Sequence, residues 1–333
     1  MDATETRNTL FLHHFHTEKS TDYVNELTEE PEWKGINHLG DPVKILEKLG
    51  EGQKAVIVLT EHYRTNREGF FRELGEEAEE LGGSYELNER SLVMEHEDSK
   101  VAIINGVEAS YRRRDSHLVL VGLPLREEKE YYNIEGEELS EVLEDAAFAH
   151  PAHPFLGEFG MDMEELEEVC ETIKESSAEL FIPYTYAYPV NIDRNARGET
   201  DSEINVQRLA EKYDAQMIVE HDHHVHLPSG LGGIGLLEDS AIEKLESGEI
   251  PLGEIKDMKV IEPTKLDTFQ DLFRAGRTYA DQLPNYMEWK GLWKRLTFPY
   301  GREELKELRD RYYSAELEDL DMDELRKRSR KLN

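Results

Sequence analysis

Short apolar, β-branched segments recur along this chain, and acid-rich stretches whose apolar residues fall three or four apart lie between them. That alternation is the pattern of strands feeding helices in an α/β protein. Strands are expected over 8–16, 55–62, 101–109, 117–122, 147–150, 178–186 and 216–222. Helices are expected over 42–49, 67–81, 136–145, 161–176 and 202–213. Residues 91–97 and 100–105 read as the arms of a hairpin, with acidic turn-formers between them. No internal repeat, low-complexity tract or long Gly/Ser linker interrupts the pattern.

Strand signals stop near residue 262, and 268–277, 284–296 and 302–330 read as helices. The expected division is a domain over 1–262 and a helical C-terminal extension over 263–333. Tyr286, Trp289, Leu292, Trp293 and Leu296 fall on one helical face, which either packs on its own domain or makes a homo-oligomer surface. Arg326, Lys327, Arg328, Arg330 and Lys331 form the one dense basic cluster, which suits a helix C-terminus better than an anion-binding tail.

Hydrophobic residues at 38% let a chain with 34% charged residues meet the entropy cost of folding, so wholesale disorder is not expected. The longest apolar runs fall far short of the roughly 20 residues a membrane helix needs, and the start MDATETRN lacks a signal peptide's pattern. A cytoplasmic protein is therefore expected. Lys and Arg number 39 against 73 Asp and Glu, a net charge of −34 that repels nucleic acid and anionic membranes. Acidity spread over the whole chain is that of a halophilic protein, since molar salt screens the self-repulsion. Cys170, the only cysteine, falls on the apolar stripe Met163, Leu166, Val169, Cys170, Ile173 and reads as a buried hydrophobe.

Of thirteen histidines, six stand at or just past the C-terminal ends of predicted strands, where α/β active sites sit. His14 and His16, two apart, project from the same face of an extended strand, as two ligands of one metal must, while His13 and Phe15 are expected to point away. His62, Glu108 and His150 end strands, His117 opens one, and Asp222 with His224 closes the last. One strand-end histidine is more often structural than a ligand. A set of eight such groups, in a chain with no thiolate alternative, points to a polynuclear site with nitrogen and oxygen ligands.

HxH (His14, His16), TEH (Thr60, Glu61, His62), GVE (Gly106, Val107, Glu108), HL (His117, Leu118), AHP (Ala149, His150, Pro151) and DxH (Asp222, His224) follow one another in order. Over residues 10–235 the chain thereby resembles the PHP family, the polymerase and histidinol phosphatase superfamily. The resemblance implies a distorted seven-stranded β/α barrel, TIM-like and of PHP type, with two or three divalent metals (Zn, Mn or Fe). It implies that His14, His16, Glu108 and Asp222 surround a first metal, and that Glu108 bridges to a second held by His117 and His150. A third would use His62, His224 and Asp22, where the family often has histidine. Leu12, Glu61, His221 and His223 depart from the family's usual residues without removing a ligand, and bear on substrate choice.

The chemistry expected of such a site is hydrolysis of a phosphate ester, with a metal-held hydroxide as nucleophile and Glu108, Asp222 and His224 as catalytic residues. Arg112, Arg113 and Arg114, in one loop after Glu108, and Arg194 and Arg197, in a later loop, are candidate anchors for a phosphate dianion. At least one of the first three is expected merely to pair with surface carboxylates. The acidic surface favours a small phosphorylated metabolite or nucleotide over a polymer. A nuclease sharing the metal site should show a basic track, and none is found. An amidohydrolase would lack the GVE and DxH motifs, and a non-catalytic metal-binding scaffold has no physical reason to retain all eight groups. Gly230, Gly232 and Gly235 make a literal GxGxxG, but 227–230 separates it from the strand, so these glycines are expected to shape a loop and not a dinucleotide site.

Overall fold

The computed structural model describes residues 9–17, 42–62, 68–112, 116–126, 129–152, 154, 161, 163–185, 201–220, 234–261 and 322–331. In chain order the elements are β1 (Thr9–Phe15), α1 (Pro42–Lys48), β2 (Lys54–His62), α2 (Glu68–Glu80), β3 (Ser84–Leu87), β4 (Ser91–His96), β5 (Ser99–Ser110) and β6 (His117–Val121). There follow α3 (Gly136–Asp145), β7 (Phe148–Pro151), α4 (Met163–Glu175), β8 (Glu179–Thr185), α5 (Asp201–Tyr213) and β9 (Gln216–Glu220). The remainder is β10 (Gly235–Leu237), α6 (Ser240–Glu246), α7 (Leu252–Lys256), β11 (Lys259–Ile261), α8 (Met322–Arg328) and β12 (Ser329–Lys331).

Among the described residues twelve strands join one mixed sheet in the order β12-β11-β10-β1-β2-β5-β6-β7-β8-β9, with the β3–β4 hairpin attached to β5. The sheet curls into a half-barrel. This overturns the expectation of a seven-stranded β/α barrel. The reason lies in the connections: β4–β5, β5–β6 and β6–β7 are antiparallel. Parallel pairing needs a crossover of roughly a dozen residues or more, and the segment from Tyr111 to Ser116 between β5 and β6 is too short to supply one. Parallel pairs are confined to β1–β2–β5 and β7–β8–β9, and β10, β11 and β12 extend the β1 edge antiparallel.

Along β1, β2, β5, β6 and β7 both faces of the sheet are buried, so these strands read as near-continuous apolar runs. Successive side chains still alternate in direction. Ala55, Ile57 and Leu59 of β2 pack outward with Ile45, Leu46, Phe71 and Leu74 of α1 and α2, whereas Val56 and Val58 point inward with Phe11, Ile104, Val119, Phe148 and Phe181. Outside β5–β9 a second layer joins Leu118, Leu120 and Ile182 to Leu139, Leu166, Val169, Cys170 and Leu209. The inner face is closed by Ala241, Ile242 and Leu245 of α6 and Ile255 of α7. Burying each large aliphatic side chain contributes roughly 1.5–3 kcal/mol, and this layer forms the floor beneath the candidate site.

Three local expectations need correction. Met163 opens α4 but is 53% exposed, so the buried stripe begins at Leu166. Helix does not run through to Arg330: residues 329–331 form β12 and pair with β11, while Leu325 of α8 sits in the core beside β1 and β2. The basic cluster therefore spans a helix end and an edge strand, where Arg326 bonds Asp323 and Lys331 bonds Asp257. The apolar face at 286–296 lies outside the described residues. Among the described residues no helix is long and apolar enough to cross a membrane.

Candidate metal centre

β1 and β2 run in register from Thr9↔Lys54 to Leu12↔Ile57, but Phe15 pairs with Leu59, so β1 carries one extra residue between Leu12 and Phe15. His14 absorbs the bulge at φ 61°, a left-handed conformation that costs a non-glycine residue about 1–3 kcal/mol and clusters at functional sites. Strict alternation is lost there. His13 therefore does not point away, as expected, but faces inward with its ring stacked on Phe11 at 5.6 Å and near Phe148 at 5.8 Å. His14 and His16 face the same interior, while Phe15 packs outward.

Glu108, near the end of β5 and fully buried, is the hub of the cluster. Its Oε2 lies 3.1 Å from His14 Nε2, 3.2 Å from His62 Nδ1 and 3.4 Å from His16 Nε2, and its Oε1 lies 2.7 Å from His117 Nδ1. The sheet explains the convergence. His62 and Glu108 are register partners on parallel strands, and His117 opens the antiparallel β6 opposite Ser110, which returns it to the same rim. The His16 and His62 rings stack with centroids 4.4 Å apart.

The electrostatics are those of a carboxylate enclosed by imidazoles. Burial pushes the Glu108 carboxyl up, but His62, His117 and His14 outweigh it and hold the group well below the usual carboxylate range. Burial likewise pushes His14 down, and Glu108 and Glu220 reverse that and hold it well above its ordinary value. Glu220, fully buried at the end of β9, sits 2.5 Å from His14 Nδ1. That contact bridges the curl of the sheet, from β9 back to β1.

Two further contacts fix the surroundings. His150 at the β7 rim meets His13 Nε2 to Nε2 at 2.6 Å, and His150 Nδ1 donates to the Pro151 carbonyl at 2.9 Å. Glu61 accepts hydrogen bonds from the Thr17 backbone N–H at 3.0 Å and from the Thr17 hydroxyl, and Thr60 donates to the Phe15 carbonyl. The exit of β1 is thereby tied to β2 directly after His16.

The donor set fits a metal. His14, His16 and Glu108 form one group and His62, Glu108 and His117 a second, with the ligand atoms of each within 4.8 Å of one another. The two groups share Glu108, so a carboxylate that can use both oxygens stands between two nitrogen clusters. Such a buried cluster could hold metal ions, and mixed imidazole and carboxylate donors suit Zn, Mn or Fe.

Of the residues singled out in the sequence, His14, His16, His62, Glu108 and His117 come together here, with His150 alongside. His62 belongs with Glu108 and His117 in this grouping. Arg112 is turned to the surface, where Glu168 holds its guanidinium through two bonds at 2.5 and 2.7 Å and Glu135 adds a third contact at 3.2 Å. Asp22, Arg113, Arg114, Arg194, Arg197, Asp222 and His224 lie outside the described residues. Gly235, the last glycine of GxGxxG, opens β10, where an added Cβ would run into Met258 Sδ; close packing explains that glycine. Sequence reasoning missed His13 and Glu220. Glu220 shares the inward parity of Ile218, a signal that was present; a one-residue bulge leaves none. No family model, no curated protein and no solved structure matches this chain.

Proposed function

We propose that this protein is a cytoplasmic, metal-dependent hydrolase of small phosphate esters, with two divalent cations sharing Glu108, as the resemblance of its motifs to the PHP family implies. The observation that carries the reading is the fully buried Glu108 carboxylate with four imidazoles, from β1 and the residue after it, β2 and β6, within 2.7–3.4 Å. A buried carboxylate needs compensation, and a ring of metal-ligating side chains is a costly way to supply it unless a cation is the intended occupant.

Divalent cations bound there would acidify a water and neutralise the oxygens of a phosphoryl group. The chain's own residues do the rest. Glu108 sets the spacing of the two donor groups. His14 approaches from β1 and His16 from the residue just past its end, and His62 and His117 from two other strands, so the rim is fixed chiefly by the sheet. Phe11 and Phe148 line the apolar floor, which lowers the local dielectric and strengthens every charge interaction above it. By the same resemblance Asp222 would join His14, His16 and Glu108 at the first cation, and a third cation would call on His62, His224 and Asp22. The net charge of −34 favours small substrates over nucleic acid.

Elemental analysis of protein purified in high salt tests the reading, followed by assay with p-nitrophenyl phosphate and bis-p-nitrophenyl phosphate. Two or more metals per chain, lost in Glu108→Gln together with hydrolysis of either ester, is the expected result. A chain that takes up no Zn, Mn or Fe overturns the metal reading; a loaded chain inert to both esters and to a panel of phosphorylated metabolites overturns the hydrolase reading alone.

A further inference from the structure

We propose that Glu220 is a positioning residue that orients His14 and selects the tautomer in which Nε2, and not Nδ1, is the metal-binding nitrogen. The inference rests on the metal reading above and adds a residue that the motifs do not contain. Both partners are fully buried, and Glu220 Oε1 lies 2.5 Å from His14 Nδ1. The other nitrogen of the same ring, Nε2, is directed at Glu108 Oε2, 3.1 Å away, in the heart of the first donor group.

A neutral imidazole donates from one nitrogen and accepts, or binds a metal, through the other. An ionised carboxylate only accepts. Glu220 beside Nδ1 therefore keeps the proton on Nδ1 and leaves the Nε2 lone pair facing the site. A carboxylate behind a ligating histidine also fixes the plane of the ring and raises the basicity of the ligating nitrogen. His14 needs such support more than its neighbours do, because its backbone is in the left-handed region at φ 61° and local preference would carry the ring elsewhere.

The position of Glu220 is set by the sheet. It is the last residue of β9 and the register partner of Thr185 on β8, whereas His14 lies on β1. The pair thus joins β9, one edge of the sheet, across the curl to β1 at the height of the site. Glu220 also stands 4.0 Å from His150 Nδ1, whose nearer partner is the Pro151 carbonyl at 2.9 Å. Its short contact is with His14.

The test is zinc affinity of the full chain by chelator competition, for wild type, Glu220→Gln and Glu220→Ala, with 15N-histidine NMR of the zinc-loaded proteins. Glu220→Ala should weaken zinc roughly 10- to 100-fold, and Glu220→Gln less, because its amide carbonyl still accepts from Nδ1. In zinc-loaded wild type the His14 signals should show a protonated Nδ1 and a metal-bound Nε2. Wild-type zinc affinity in both variants, or a zinc-bound Nδ1 in wild type, overturns the role of Glu220 and leaves the metal reading standing. A wild type that binds no zinc, manganese or iron overturns both. If either variant fails to fold, as seen by circular dichroism, the wild-type NMR assignment alone decides.

Discussion

His13 Nε2 and His150 Nε2 meet at 2.6 Å behind the donor cluster. The Pro151 carbonyl can only accept, so His150 donates to it from Nδ1. A neutral His150 then accepts at Nε2, and His13 is the donor. While it accepts from His13, that nitrogen cannot also hold a cation. The His13→Ala variant removes the donor of this buried hydrogen bond to His150, and a loss of about 1–3 kcal/mol is expected. Denaturant unfolding at constant high salt measures it, and His13→Ala equal to wild type would show that this bond contributes nothing.

Gly106, two residues before Glu108, lies where β5 is hemmed in on both sides. An added Cβ would stand 2.8 Å from the Leu120 carbonyl oxygen and 3.1 Å from that of Leu59, both backbone atoms that cannot swing aside. Gly106→Ala should therefore cost about 1–3 kcal/mol through overpacking. It should also weaken metal binding, because the displaced strand carries Glu108 with it. A Gly106→Ala variant with unchanged unfolding midpoint and zinc affinity would refute this.

Glu61 has a physical task here: it accepts from the Thr17 backbone and hydroxyl. Glu61→Ala removes the acceptor of two buried donors and should destabilise the chain by about 1–3 kcal/mol. Glu61→Gln, which retains a carbonyl acceptor, should lose less. Comparing the two unfolding curves checks the order; Gln as damaging as Ala would mean that charge, not acceptance, is what Glu61 supplies.

Alkaline pH should unfold the layer outside β5–β9. Burial pushes the Tyr111 and Tyr131 phenols from 10.0 to about 12, and pushes the Cys170 thiol from 9.0 to about 12. Each is an acid held neutral by the fold. The stability they contribute is fully present below their unfolded values, and it is lost as pH rises through about 9–10 towards 12. Thermal midpoints at stepped pH should be level to about pH 9 and fall beyond it. The same burial predicts that Cys170 in the folded chain resists thiol reagents at neutral pH, which Ellman's assay with and without denaturant reads directly.

A net charge of −34 sets the response to salt. Screening shortens the range of self-repulsion from roughly 10 Å at 0.1 M to roughly 3 Å at 1 M, so the melting temperature should climb with KCl. Circular dichroism melts in dilute and molar salt decide the matter; a flat series would remove the reading of the acidity as an adaptation to salt.

The long elements were legible in the sequence. α3 falls where 136–145 was expected, and β1, β2, β5, β8 and α2 lie within two residues of their expected ends. These segments are long enough for their apolar pattern to outweigh local preference. β3, β10, β11 and β12, three or four residues each, were not seen, because so short a run has no measurable period. Barrel against curled mixed sheet was not legible either. Buried strands read alike whether they pair parallel or antiparallel, and only the short connection at 111–116 carried the difference. At the site, Glu108, His62 and His117 were legible as strand-end donors, whereas Glu220 was overshadowed by Asp222 two residues later.

β1 is written in two phases. Up to Leu12 its odd positions turn inward and build the apolar floor with Phe11; beyond the bulge its even positions do so and present His14 and His16. Floor and rim therefore draw on separate sets of side chains within seven residues, with His14 as the point of changeover. Losing one residue there would restore regular pairing with Phe15 still opposite Leu59 and His16 still inward, but it would remove one of the two adjacent histidines, His13 and His14, that only a bulge can turn to the same side. The length of this strand, as much as its composition, is part of the code for the site, and a substitution scan that never alters length would leave that part unread.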